Sequence, residues 1–167
     1  AHPFFSPLLD LSIPADVLLA DGGGALIVNR ERGKARCLVD LAFYGRGPEE
    51  DLVARMIEAL GGRQCLVRDT GAILVGIPKG YASEGISQLQ RFLHGVGAPL
   101  PVWRYREAIG QFASASAVAA VLASSFIAAA RVPGALLGGD DLLLGPGHRI
   151  LVLGTGPALS AMVFSRP

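Results

Sequence analysis

The chain reads as short apolar runs separated by turns rich in glycine and proline, with windows of helical spacing between them. Pro3 to Pro14 carries three prolines and no period, which predicts an irregular N-terminal segment over residues 1–14. Val17–Ala20 and Ala25–Val28 flank Asp21-Gly22-Gly23-Gly24, a hairpin pattern in which glycines are free to take positive φ. KARCLVDLAFYG continues as a strand. Pro48-Glu49-Glu50-Asp51 suits the first turn of a helix, Leu52, Met56 and Leu60 follow at helical spacing, and Gly61-Gly62 ends it. AILVGIPKG predicts a buried strand running into a loop. A helix follows, with Ser83 as its N-cap and Ile86, Leu89 and Leu93 on its apolar stripe.

PLPVWRY predicts a short strand whose prolines place it at a sheet edge, and Ser114–Ala130 a helix of small residues. The turn-rich Gly134–Gly147 leads to two closing strands, Ile150–Leu153 and Ala161–Phe164, around Gly154-Thr155-Gly156-Pro157. The resulting order, β-β-β-α-β-α-β-α-β-β, predicts a layered α/β fold with crossover helices.

Composition changes this picture in one respect. Of 167 residues, 51% are hydrophobic and 17% charged, against about 25% charged in an ordinary soluble domain. The length suits one domain with a real core, while the mean hydropathy of +0.45 points to a surface partly covered by something else. The longest apolar stretch, Ala113 to Ala130, is mostly Ala, Ser and Val, bracketed by Gln111 and Arg131. Such residues add little to membrane insertion, so the stretch predicts a buried helix or a protein interface, not a span.

The net charge of +1, with Arg30–Arg36 the one basic cluster, argues against nucleic acid. Cys37 and Cys65 are the only cysteines, in strand-like contexts (RCLV and QCLV), and read as buried free thiols outside any disulfide framework. AHPFF has no signal-peptide pattern, and the missing initiator Met fits a processed product or the later part of a longer chain. A cytoplasmic location is the expectation.

The familiar site motifs fail. A dinucleotide fingerprint needs a third glycine and a following helix, but position 159 is Leu in a strand-like run. Gly33-Lys34-Ala35 lacks the P-loop hydroxyl residue, and no Gly-x-Ser-x-Gly elbow occurs. His2, His94 and His148 have no metal-ligand spacing, and Asp140-Asp141 reads as a solvated turn.

Four segments, in order, resemble the C-terminal part of the thiolase-fold condensing enzymes, the 3-oxoacyl-(acyl carrier protein) synthase family, nearest its type III branch. LLADGGGALIV resembles the family's FGDGAGAVVL hairpin. VGIPKGYASEGI resembles the strand end IPHQAN, and IGQFASASAVAAVLA resembles YGNTSAASIPLAL. LGPGHRILVLGTGPALSAMVF resembles the closing hairpin GDRVLLVAFGGGLTWGAALV. The resemblance covers about residues 15–166 and implies the C-terminal half of a thiolase-like fold over residues 15–167.

It also implies that the Gly154, Thr155 and Gly156 loop, with Phe112, lines an acyl pocket, and that no cofactor or metal is bound. Lys79 stands at the family's catalytic histidine position and Gln111 at its asparagine position. Those family side chains donate hydrogen bonds to a developing enolate oxygen. Lysine and glutamine can donate, but their longer stems move the donor by about a bond, and catalysis is sensitive to about 1 Å.

The family's nucleophilic cysteine lies before the region this chain covers. The resemblance therefore implies a partner chain or N-terminal half bearing that cysteine, served by acyl carrier protein or acyl-coenzyme A, in fatty-acid-like, polyketide or secondary-metabolite synthesis. Three readings stand: a composite acyltransferase with Lys79 and Gln111 as donors, a non-catalytic scaffold or acyl-length-measuring subunit, and an unrelated α/β domain whose glycine loops are only turns.

Overall fold

The structure, a computed structural model, describes residues 37–47 and 49–167. The hairpin reading of Val17–Ala20 and Ala25–Val28, and with it the first segment of the resemblance, lies outside the described residues. Strand β1 (Leu38–Gly45) leads to helices α1 (Glu49–Ala59) and α2 (Gly62–Asp69), strand β2 (Thr70–Gly76), a 3-10 turn at Lys79–Tyr81 and helix α3 (Ala82–Val96). Then come β3 (Val102–Arg104), α4 (Tyr105–Ile109), α5 (Ala115–Ala129), β4 (Arg131–Val132), α6 (Gly134–Leu137) and β5 (Leu142–Leu143), before β6 (Arg149–Gly154) and β7 (Leu159–Ser165).

Five strands form one mixed sheet in the order β1-β7-β6-β2-β3, while β4 and β5 pair by themselves. β2 runs parallel to both β6 and β3; β7 is antiparallel to β6 and to β1. The near-continuous apolar runs of β2 and β6 follow from burial on both faces. Alternate residues serve opposite layers. Ile73, Val75, Leu151 and Leu153 point into a core with Leu52, Met56, Leu66 and Phe92 from α1, α2 and α3. Ala72, Leu74, Ile150 and Val152 point the other way, to Tyr105, Ala119, Ala123 and Ile127 from α4 and α5. The α/β class and the crossover helices are therefore as the pattern predicts, and β3 lies at a sheet edge.

Three local expectations need correction. Cys65 lies in helix α2, not in a strand: Gly61 ends α1 at φ +96°, and the chain restarts as a helix at once. Ser83 is not the N-cap of α3, because the 3-10 turn extends into the helix and puts Tyr81 at the cap. The stripe of α3 is rotated from the expected one, with Gly85, Gln88, Leu89, Phe92 and Val96 buried. Asp140 and Asp141 are exposed beyond α6, as expected of a solvated turn, and Asp141 also serves its neighbours. Its carboxylate accepts the Gly134 N–H at 2.8 Å, where α6 begins, and pairs with Arg131 at 3.0 Å.

Helix α5 buries Ala115, Ala119, Ala120, Ala123, Phe126 and Ile127, while Ser116, Ser125 and Ala128 face out. Its small residues admit close approach to the sheet. No helix among the described residues is long and apolar enough to cross a membrane. The helix ends at Ala130 in the left-handed region, φ 58°, where a Cβ is costly. Ala130→Gly is expected to stabilise the fold by about 1 kcal/mol, read as a raised urea midpoint; an unchanged or lowered midpoint contradicts this.

Candidate functional site

Three parallel strands set the geometry. β6, β2 and β3 point the same way, so the segments leaving their C-terminal ends emerge at one end of the sheet, where α/β folds build sites. The last residues of β2 and β6, Gly76 and Gly154, pair directly. Beyond Gly76 come Ile77, Pro78 and Lys79; beyond Gly154 come Thr155 and Gly156; beyond β3, helix α4 carries the chain to Gln111 and Phe112.

The glycine loop is held from two sides. The Thr155 backbone N–H and hydroxyl both donate to the Gly76 carbonyl, at 3.2 and 3.1 Å. Gly156 donates its N–H to Gln88 Oε1 at 2.8 Å and accepts from Gln88 Nε2 at 2.9 Å. Gln88 is 2% exposed and Thr155 7%. Both glycines at this junction are required by space or angle. A Cβ on Gly85 would lie 2.6 Å from Thr155 Oγ1, and Gly156 has φ +108° with a would-be Cβ 3.3 Å from that of Tyr81.

The consequence is chemical. The amide donors of Thr155 and Gly156 are consumed inside the fold, so they cannot cradle a phosphate or fill an oxyanion hole. The loop can shape a wall or a turn.

Lys79 and Gln111 do meet. The Lys79 side chain is exposed, and its backbone N–H donates to Gln111 Oε1 at 3.4 Å. Gln111 Nε2 in turn donates to the Arg106 carbonyl at 3.5 Å. Both bonds are long, and both tie the glutamine amide to nearby backbone. Arg106 Nη1 donates to the Phe112 carbonyl at 3.2 Å, and the half-buried Phe112 ring packs against the α5-side core. Beneath this cluster the Tyr105 ring, 1% exposed, presses on Gly76, and burial pushes its phenol pKa up. All six expected site residues, Lys79, Gln111, Phe112, Gly154, Thr155 and Gly156, thus lie at or beyond the C-terminal ends of parallel strands, at one end of the sheet.

Neither cysteine is there. The Cys65 thiol donates to Asp69 Oδ2 at 3.2 Å and accepts from Arg149 Nη2 at 3.3 Å. Arg149 opens β6 and Gly154 closes it, so the residue this thiol contacts lies about 16 Å from the glycine loop along the strand. A 2.6 Å hydrogen bond from Arg68 holds the Asp69 carboxyl below the usual carboxylate range. Cys37 neighbours β1, whose first residue pairs with Ser165 at the same far end, and burial raises its thiol pKa. Among the described residues no group of His, Cys, Asp and Glu could hold a metal ion. A separate open groove of about 630 Å³ lies beside β3, lined by Leu89, Leu93, Trp103 and Leu136, with the Arg104–Glu107 pair (3.1 Å) on its lining.

Sequence reasoning missed Gln88, Gly85, Tyr105 and Arg106. Gln88 had a signal: it is the polar residue within the stripe that Gly85, Leu89, Phe92 and Val96 bury. A buried polar side chain at a core register calls for a specific partner. Comparison with protein families, curated proteins and solved structures found no match.

Proposed function

We propose that this chain is a ketosynthase-like subunit that completes an acyl pocket with a partner chain bearing the cysteine nucleophile, and that it contributes the pocket wall, not the chemistry. One observation carries the reading: Pro78–Lys79, Gln111–Phe112 and Gly154–Gly156, far apart in sequence, gather at one end of the sheet. These are the segments that resemble the condensing enzymes' pocket. A mixed sheet with crossover helices and a closing hairpin supports a thiolase-like half-fold.

The wall role is favoured over the donor role by Gln111, whose amide is engaged with backbone on both its oxygen and its nitrogen. Cys37 and Cys65 stand at the far end of the sheet, so the nucleophile comes from the partner. Acyl carrier protein or acyl-coenzyme A delivers the acyl group, in a cytoplasmic synthesis of fatty-acid-like, polyketide or related products. The second reading keeps Lys79 and Gln111 as donors in a composite acyltransferase.

The test is native purification followed by incubation with octanoyl-coenzyme A and intact mass measurement. The expected result is a second chain that gains an octanoyl group on cysteine while this chain gains none. A monomer that unfolds cooperatively, recruits no second chain and retains no acyl group would overturn the proposal.

A further inference from the structure

We infer that Gln88 is the positioning residue of the glycine loop: its amide fixes the peptide of Gly156 and so sets the depth of the pocket wall. The role in acyl selection rests on the acyl-pocket reading above; the clasp itself does not. Gln88 projects from the second turn of α3 into the interior and meets Gly156 as one amide meets another, donor to carbonyl and carbonyl to donor. Its second Nε2 hydrogen goes to Glu84 Oε1 at 3.3 Å, so every polar atom of this buried side chain has a partner. A flipped amide would set oxygen against oxygen at Gly156, so only one orientation fits.

A longer route leads from this clasp to selectivity. The side of Gly156 where a Cβ would stand faces Pro78 and Tyr81, 3.8 and 3.3 Å from that position, on either side of the Lys79–Gly80 pair. Moving Gly156 therefore moves the wall beside the Lys79 turn, while Thr155 stays anchored to Gly76 by two hydrogen bonds of its own. The loop thus pivots about Thr155 when Gln88 lets go.

Two variants test this. Gln88→Met keeps the length and removes both hydrogen bonds to Gly156 together with the one to Glu84. Gln88→Glu keeps the acceptor for the Gly156 N–H but turns a carboxylate oxygen toward the Gly156 carbonyl. The charged groups one turn away on the same helix are Glu84, which already accepts from the Gln88 amide, and Arg91, whose Nε is buried; Tyr81 in the preceding turn lies beside Gly156, and the loop presents backbone and the Thr155 hydroxyl. Burial, the Glu84 charge and the facing Gly156 carbonyl oppose ionisation of the introduced carboxyl group against the cation of Arg91, so its folded pKa is expected to lie above its unfolded one. The clasp is then present in acid, where the protonated acid donates as the amide does, and is lost as pH rises through the raised value.

Amide exchange at Gly156 and acyl-length preference with butanoyl-, octanoyl- and dodecanoyl-coenzyme A are measured on the native complex. The expected result for Gln88→Met is exchange faster by about tenfold or more at Gly156, with β2 amides still protected, and a length preference shifted or broadened. Gln88→Glu does the same in alkaline buffer and reverts in acid, each Gly156 rate being taken as a ratio to wild type at the same pH because amide exchange is itself base-catalysed. Unchanged Gly156 exchange in Gln88→Met, or no pH reversal in Gln88→Glu, overturns the inference whatever the acyl probes do. Faster exchange with an unmoved length preference overturns the selection role and leaves the subunit reading in place. A wild-type complex that takes none of the three probes sinks the acyl reading instead, and Gly156 exchange still decides the clasp.

Discussion

Gly76→Ala is expected to destabilise the fold by about 2–3 kcal/mol, where the same change at a site with space and a compatible backbone would stabilise slightly. A Cβ at Gly76 would overlap the Tyr105 hydroxyl and press on its ring. Tyr105 is 1% exposed and packed within the α5-side core, so the ring has nowhere to go. The backbone cannot yield either, since Gly76 pairs with Gly154 and its carbonyl holds Thr155 twice. Tyr105→Phe in the same chain should recover only part of the loss, because the ring carbons still crowd the new methyl. Urea titration of the two single variants and the double variant measures this. A Gly76→Ala midpoint equal to wild type would mean that the β2–α4 contact is looser than its geometry.

How much of this was legible in the sequence depends on the element. Strands β2 and β6 were plain because apolar runs bounded by glycine have few other solutions, and β7 because its apolar run follows β6 across a short glycine-bearing turn. Helix α1 was plain because Leu52, Met56 and Leu60 keep one period, and all three are buried. Cys65 misled because QCLV is apolar and short, and a run of that length cannot distinguish a strand from a helix turn. What decided it was the positive φ that Gly61 and Gly62 supply, which reverses the chain directly into α2. Ser83 misled because capping residues are common, and the 3-10 turn ahead of α3 had no distinct pattern. The meeting of Lys79 with Gln111 was reachable only through resemblance. A contact across 32 residues depends on β2 and β3 being parallel neighbours, which no local period encodes. The Gln88 clasp spans 68 residues and likewise depends on strand order, here β2 beside β6.

If the proposed acyl-pocket role holds, Gly156→Val should lower acyl transfer by the complex by about 10²-fold, whereas Lys79→Ala and Gln111→Ala should each stay within about threefold of wild type. The first figure is what a wall displaced by about 1 Å costs. Valine at φ +108° is strained, as is any β-branched side chain, and its Cβ would push on Tyr81 from 3.3 Å while pulling Gly156 off the Gln88 amide. The smaller effects follow because the Gln111 hydrogen bonds are long and go to backbone, 3.4 Å from the Lys79 N–H and 3.5 Å to the Arg106 carbonyl. A composite enzyme using these side chains as donors predicts the reverse ranking, with losses of about 10²–10³ on removing either donor. Single-turnover transfer from octanoyl-coenzyme A, at matched subunit stoichiometry and with each variant's thermal midpoint recorded, separates the two. If Gln111→Ala falls as far as Gly156→Val while its midpoint holds, the wall assignment is wrong and Gln111 belongs to the chemistry.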